Sequence, residues 1–293
     1  MKHHFGDLLD RDGDYWSVVA NRERFAFPIG NTPAGSEEIR IVTVEKDDDS
    51  WRNIFTFPNL EELTLHGPTS DQLFAISELS RLKRLRITHA RPKDLGFLAP
   101  LSQMEELVLE YVSGFEDLSP LCSLNRLKSL HLENLRRVKD FGGLHDITSL
   151  RYLAIDGTLD WKQPIADFEF LRGLPNLEVL GFGFIISQAP FPAMLPVLSL
   201  PRLKRLRLPR NMLAAREYAL LEVGLSGVTG AAWGPFWRLE SSGRDAWFEF
   251  TGKGAGRVKC GSVDADRKCA EYSAKYAQWK AEVQDLAAQS RSG

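Results

Sequence analysis

From residue 60 onward the chain repeats one pattern: apolar, two variable positions, apolar, one variable, apolar. It appears as Leu60-Leu63-Leu65, Leu82-Leu85-Ile87, Met104-Leu107-Leu109 and Leu127-Leu130-Leu132. It continues as Leu150-Leu153-Ile155, Leu177-Leu180-Phe182 and Leu203-Leu206-Leu208. The first positions, 60, 82, 104, 127, 150, 177 and 203, are separated by steps of 22, 22, 23, 23, 27 and 26. A weaker copy, Ile39-Val42-Val44, precedes them by 21. A fixed period in this range marks stacked supersecondary units.

The spacing dictates the local structure. Leu63 and Leu65 are two apart and share one face of a short strand. Leu60 enters from the approach to that strand. Leu73 and Ile76 point inward from a return segment too short for a long helix, which is expected to form 3-10 or irregular turns. One unit alone cannot bury these side chains. Stacked neighbours can, at roughly 1.5–3 kcal/mol for each buried leucine. The second half of the unit repeats as well. Asp94-Leu95 and Asp117-Leu118 share one phase, Phe141, Leu144 and Ile147 hold it one unit later, and Phe168, Leu171 and Leu174 after that.

These two half-patterns resemble the short, 22-residue class of leucine-rich repeats found in bacterial internalin-like proteins. The resemblance covers residues 39 to about 211. It implies an α/β fold: a right-handed leucine-rich-repeat solenoid with a parallel concave sheet, a short 3-10 or irregular convex side and a C-terminal α+β cap. It also implies binding rather than catalysis. The asparagine that commonly follows the strand in this family is mostly missing. Pro68, Ala90, Val112, Leu135, Thr158, Ile185 and finally Asn211 hold that position, so apolar packing is expected to replace the polar ladder. The two longer units carry insertions at 160–164 and 187–193, expected as protruding loops.

Residues 1–38 read as an N-terminal cap, supplied by Tyr15, Trp16, Val18, Val19, Phe25 and Phe27. Residues 39–211 hold the repeats, and 212–293 a C-terminal capping segment. In that segment 214–222 reads as a short helix, and 247–250 pairs with 257–260 as a hairpin around the glycine-rich turn 252–256. A terminal amphipathic helix is expected to be capped by Ser262. Its stripe is Cys269, Tyr272, Tyr276, Trp279, Val283 and Leu286.

Within each strand the third, fifth and seventh positions are expected to face solvent on the concave side. The third-position row runs Ile41, Glu62, Arg84, Glu106, Ser129, Tyr152, Val179, Arg205. The fifth runs Thr43, Thr64, Arg86, Val108, His131, Ala154, Gly181, Arg207, and the seventh Glu45, His66, Thr88, Glu110, Glu133, Asp156, Gly183, Pro209. Tyr111, Asn134 and Phe184 lie just beyond. Glu62, Arg84 and Glu106 alternate in sign and are expected to pair laterally. Glu106, Glu110, Glu133 and Asp156 form an acidic centre with no facing base, beside Tyr111 and Tyr152. The candidate partner-binding set is Glu106, Glu110, Tyr111, His131, Glu133, Tyr152, Asp156, Phe184, Arg205 and Arg207. An acidic, tyrosine-bearing centre suits a protein partner with a basic surface.

Composition changes little. The 293 residues carry a formal net charge of −2, which argues against a dedicated nucleic-acid binder. No apolar stretch reaches membrane-spanning length. The N-terminus has no apolar run after its basic residues and reads as no signal peptide, so a cytoplasmic protein is expected. Cys122, Cys260 and Cys269 are expected as reduced thiols. Asp10, Asp12 and Asp14 lack the glycine and glutamate of a calcium loop. The 252–256 turn has its lysine inside the glycines, unlike a phosphate loop. His66 and His89 are neighbours without a third ligand. No cofactor, metal site or catalytic group is expected. The leading reading is a protein-interaction module, in a narrower form an immunity or inhibitor protein. The alternatives are an activity housed in 212–293, and a structural, self-associating solenoid.

Overall fold

In the computed structural model, residues 27–231, 233–240 and 246–292 are described. The apolar cap residues Tyr15, Trp16, Val18, Val19 and Phe25 and the Asp10–Asp14 turn lie outside them. The strands begin with β1 (Phe27–Pro28), β2 (Ile41–Glu45), β3 (Glu62–His66) and β4 (Arg84–Thr88). Then come β5 (Glu106–Glu110), β6 (Ser129–Glu133), β7 (Tyr152–Asp156), β8 (Gln163–Ile165) and β9 (Val179–Gly183). β10 (Ile185–Ser187) and β11 (Arg205–Arg207) complete the repeats. All but β8 and β10 form one nine-stranded parallel sheet in chain order, so each unit contributes one strand.

The register places each strand's leucines rung on rung. Leu63 pairs with Leu85, Leu85 with Leu107, Leu107 with Leu130, Leu130 with Leu153 and Leu153 with Leu180. These side chains are fully buried, as are Leu65, Ile87, Leu109, Ile155 and Phe182. Short 3-10 turns carry the chain back in most units. One unit instead forms a six-residue helix, α1 (Ser70–Ala75), because Thr69 and Gln72 close a capping box. The recurring aspartate of the second half-pattern has a local role. Asp94, Asp117, Asp140 and Asp167 each accept the backbone N–H two residues on, at 2.7–2.9 Å, and so fix the start of the turn.

The chain leaves the strands through a left-handed residue. Gly67, His89, Tyr111, Asn134 and Phe184 all have φ between 48° and 57°. The first four continue the ladder by donating their N–H to the last carbonyl of the neighbouring strand, at 2.8–3.0 Å. Val112, Leu135 and Ile185 then turn into the core. Apolar packing therefore does replace the missing asparagines, with glutamine added. Buried Gln163 accepts from Leu135 N at 3.1 Å and donates to Val138 O at 2.7 Å. Gln163 sits in β8, which pairs in parallel with β10. The expected protruding loops are thus only partly loops. Two of the five residues of the first insertion, Gln163 and Pro164, are strand, and in the second Ala193 and the adjoining Met194 are buried, their amides held by the Glu217 carboxylate at 2.8 and 3.1 Å.

The C-terminal segment closes the stack with α2 (Ala215–Gly224), an antiparallel sheet of β12 (Phe236–Glu240), β13 (Ala246–Phe250) and β14 (Arg257–Lys259), and helices α3 (Ala265–Glu282) and α4 (Gln284–Ser292). The expected hairpin is present and gains β12 as a third strand. The expected terminal helix breaks at Val283, and its N-cap is Asp264, with the Ser262 hydroxyl 3.0 Å from that carboxylate. The stripe holds: Cys269, Tyr276 and Val283 are buried, and Tyr272, Trp279 and Leu286 pack beside them. The glycine-rich turn docks the cap, since Gly252 N and Lys253 N donate to Arg210 O and Leu213 O at 2.7 and 2.6 Å. A Cβ on Gly252, at φ 119°, would lie 2.8 Å from Ala215. The Tyr218 hydroxyl donates to Pro209 O, and burial pushes its phenol up to about 12.

Candidate interaction surface on the concave face

The expected rows form as written. Glu62, Arg84, Glu106, Ser129, Tyr152, Val179 and Arg205 occupy successive rungs, and so do the fifth- and seventh-position residues through β9. Arg84 lies between its two carboxylates, 3.3 Å from Glu106 and 3.9 Å from Glu62. The lateral pairing of that trio is therefore present.

The acidic centre differs from expectation in two ways. It has facing bases, because residues of the fifth row reach diagonally to the seventh. Arg86 donates to Glu110 at 2.6 Å, His131 Nε2 lies 3.2 Å from Asp156, and Arg207 reaches the same carboxylate at 3.4 Å. It is also buried. Glu106, Glu110, Glu133, Asp156, His131 and Tyr152 are each 3–7% exposed. Part of that cover is mutual, since side chains on strands ~4.8 Å apart shield one another's flanks. Burial also holds the Tyr152 phenol well above its usual range. These six form a buried polar floor in which Glu106, Glu110, His131 and Asp156 lie in ion pairs. Of the ten candidate residues, Tyr111, Phe184, Arg205 and Arg207 remain accessible.

A second ladder edges the sheet one position before each strand. Glu61 bridges Arg40 and Lys83 at 3.4 and 2.9 Å. Lys128 meets Glu105 at 3.1 Å, and Glu178 bridges Arg151 and Lys204 at 2.8 and 2.6 Å. Hydrogen bonds from Arg151 and Lys204 hold the Glu178 carboxyl below the usual range, and the bond from Lys83 does the same to Glu61.

At the C-terminal half of the concave face lies a cleft of about 750 Å³. Its floor includes Glu133, Asp156 and Phe182. Its walls include Tyr111, Leu159, Phe184, Arg207, Leu208, Pro209, Arg210 and, from the cap, Gly230 and Glu249. The cleft thus gathers Glu133, Asp156, Tyr111, Phe184 and Arg207 from the candidate set, whereas Glu106, Glu110, His131, Tyr152 and Arg205 lie outside its lining. Leu159 stands 84% exposed at its mouth. Arg210 pairs with Glu249 at 3.1 Å and lies over the Trp237 ring at 5.2 Å, so the cap's outer face continues the wall. Arg210 belongs to the basic C-terminal edge that the sequence shows with Arg205 and Arg207, whereas Leu159 and Glu249 were missed because they stand beside an insertion and in the cap. Among the described residues no three His, Cys, Asp or Glu side chains cluster as metal ligands, and no helix is long and apolar enough to cross a membrane. His66 and His89 are indeed neighbours, ring centroids 5.3 Å apart.

No family model matches the chain. It is similar to human leucine-rich repeat-containing protein 56, 33% identical over 111 residues, which are 36% of this chain and 20% of that protein. It is 28% identical over 125 residues to the disease resistance protein RPP2A of Arabidopsis thaliana, 41% of this chain and 9% of that one. The chain thus spans a fifth or less of the length of these curated relatives. Among solved structures it is similar to an internalin of Listeria monocytogenes, with a TM-score of 0.44 and 22% identity over 59% of this chain and 48% of that one. A Leptospira interrogans leucine-rich-repeat protein gives 0.43 and 17% over 59% and 43%. The repeat phase and the one-strand-per-unit parallel sheet give this chain the fold of a leucine-rich-repeat solenoid.

Proposed function

We propose that the chain is a protein-binding module that seats its partner in the concave cleft, and that it acts as an immunity or inhibitor protein for an enzyme or toxin with a basic surface. The cleft carries this reading: accessible Tyr111, Leu159, Phe184 and Arg207 surround a floor that is already packed. Aromatic, aliphatic and arginine anchors around a preformed concavity are the usual makings of a binding hot spot. Three carboxylates (Glu133, Asp156, Glu249) face two guanidinium groups (Arg207, Arg210), an acid excess that favours a basic contact. Residues of 212–292 pack around Phe250, Val258, Ala265 and Cys269, which supports a capping role over a separate activity there. The free thiols of Cys122, Cys260 and Cys269 support placing the protein in the cytoplasm.

The test is capture of a partner followed by titration with both proteins purified. Leu159→Asp and Phe184→Ala should each weaken binding at least tenfold. Val263→Asp, at a fully exposed site in the cap, should not. The inhibitor reading further expects stoichiometric loss of the partner's activity. Equal affinity in all four proteins would sink the cleft assignment.

A further inference from the structure

Beside the cleft, on the rim formed by the residues that leave β4, β5 and β6, lies a separate pocket of about 270 Å³. It is lined by His89, Arg91, Tyr111, Ser113, Asn134 and Arg136. Arg91, Ser113 and Arg136 each stand three residues past their strand's end. They form one row across three consecutive units, with the serine in the middle and the arginines on loops about 10 Å apart.

Their charge is uncommitted. Arg84, Arg86, Arg151, Arg207 and Arg210 all contact carboxylates. Among the described residues Arg91 makes no ion pair or side-chain hydrogen bond. Arg136 makes only a long bond, 3.4 Å, to the neutral Asn134 amide. Of the two acids in the middle loop, Asp117 accepts from Ser119 N and Oγ at 2.8 and 2.6 Å, and Glu116 is exposed to solvent.

The pocket also has a flat wall. The Tyr111 ring lies on the His89 ring, centroids 4.8 Å apart and planes 4° from parallel. Both residues hold left-handed backbone, φ 55° and 57°, which turns the rings out along the rim. Gly114 fixes the third side. At φ 115°, its missing Cβ would stand 2.3 Å from Pro92 O, so only glycine lets the Ser113 turn close onto the Arg91–Pro92 backbone.

We infer that this rim pocket binds an oxyanion carried on a planar aromatic stem, for which a phosphotyrosine side chain of a partner protein is the matching chemistry. Two guanidinium forks and a hydroxyl satisfy several oxygens of one phosphoryl group, as arginine's planar donors do elsewhere. The Tyr111 face offers offset stacking to the stem. A volume of 270 Å³ exceeds what a bare phosphate needs and approaches that of a small-ligand site. The partner's being a protein rests on the reading of the cleft given above. The pocket's chemistry does not.

The test is calorimetric titration of the full chain with N-acetyl-phosphotyrosine amide, inorganic phosphate and N-acetyl-tyrosine amide. The aryl phosphate should bind one to one, more tightly than inorganic phosphate, and the unphosphorylated amide not at all. Arg91→Ala/Arg136→Ala should weaken the aryl phosphate about tenfold or more, since two charge-assisted contacts are lost. Both arginines are exposed, so the variant should keep its fold, checked by its thermal transition. Tyr111→Ala should weaken the aryl phosphate and leave inorganic phosphate unchanged. Absence of saturable binding to the wild type, or equal affinity in the double variant, would overturn the site. Inorganic phosphate binding as tightly as the aryl phosphate would overturn the aromatic stem. No partner protein is needed, so failure here leaves the cleft standing, and Leu159→Asp, which probes the cleft, should bind the aryl phosphate as the wild type does.

Discussion

Arg86 and Glu110, on neighbouring strands, meet at 2.6 Å with side chains only 10% and 3% exposed. A charge pair so deep gains little net stability, because desolvation offsets most of the attraction, yet removing one member strands the other. Arg86→Met should therefore destabilise the protein by about 2–4 kcal/mol, whereas Arg86→Met/Glu110→Leu should recover at least half of that loss. Urea denaturation of the two single variants and the double variant measures it. A double variant no more stable than the singles would show that the pair is not the relevant unit.

The same pair shows where sequence reading ends. Strand register was legible because a period of two fixes which side chain faces which way, and Glu62, Arg84, Glu106 and Ser129 follow one another rung for rung. Facing was legible; exposure was not. Pairing along a row could be read, but the diagonal reach from Arg86 to Glu110 depends on side-chain length and rotamer. The row Arg91, Ser113, Arg136 was present in the same phase and was overlooked because the rows stopped at the strand ends. Gln163 was invisible for another reason: it reaches Leu135 from a residue 28 positions away, by a path no repeat position announces. In the cap, β12 lacks a phase to compare with, and its strand character is decided by pairing with β13.

Gln163 stands in for the absent asparagine ladder and is 1% exposed. Its amide serves Leu135 N and Val138 O, two backbone groups buried where the sheet turns into the convex side. Gln163→Leu keeps the volume and removes both partners. Stranded buried polar groups cost about 1–3 kcal/mol each, so a loss of about 2–4 kcal/mol is expected by thermal or urea denaturation. Hydrogen exchange should locate the effect, with the Leu135 amide losing protection before those of β3. Protection unchanged at Leu135 would mean that water or another group takes over the bond.

The edge ladder predicts how stability responds to acid. Glu178 accepts from Arg151 and Lys204, and these bonds lower its carboxyl from the ordinary 4.5. A carboxyl lowered in the folded state contributes stability that is present above its unfolded value and disappears as pH falls through the folded one. Glu178→Gln should thus be less stable than the wild type at pH 7, by no more than about 1 kcal/mol, since the site is partly open to solvent and salt weakens the pair. The gap should hold from pH 7 down to about 5, narrow below 4.5 and close once the wild-type carboxyl is protonated. Glu61, lowered by Lys83, should behave the same way. Denaturation midpoints measured between pH 7 and pH 3 decide it. A gap that widens toward acid would place the stabilising charge elsewhere.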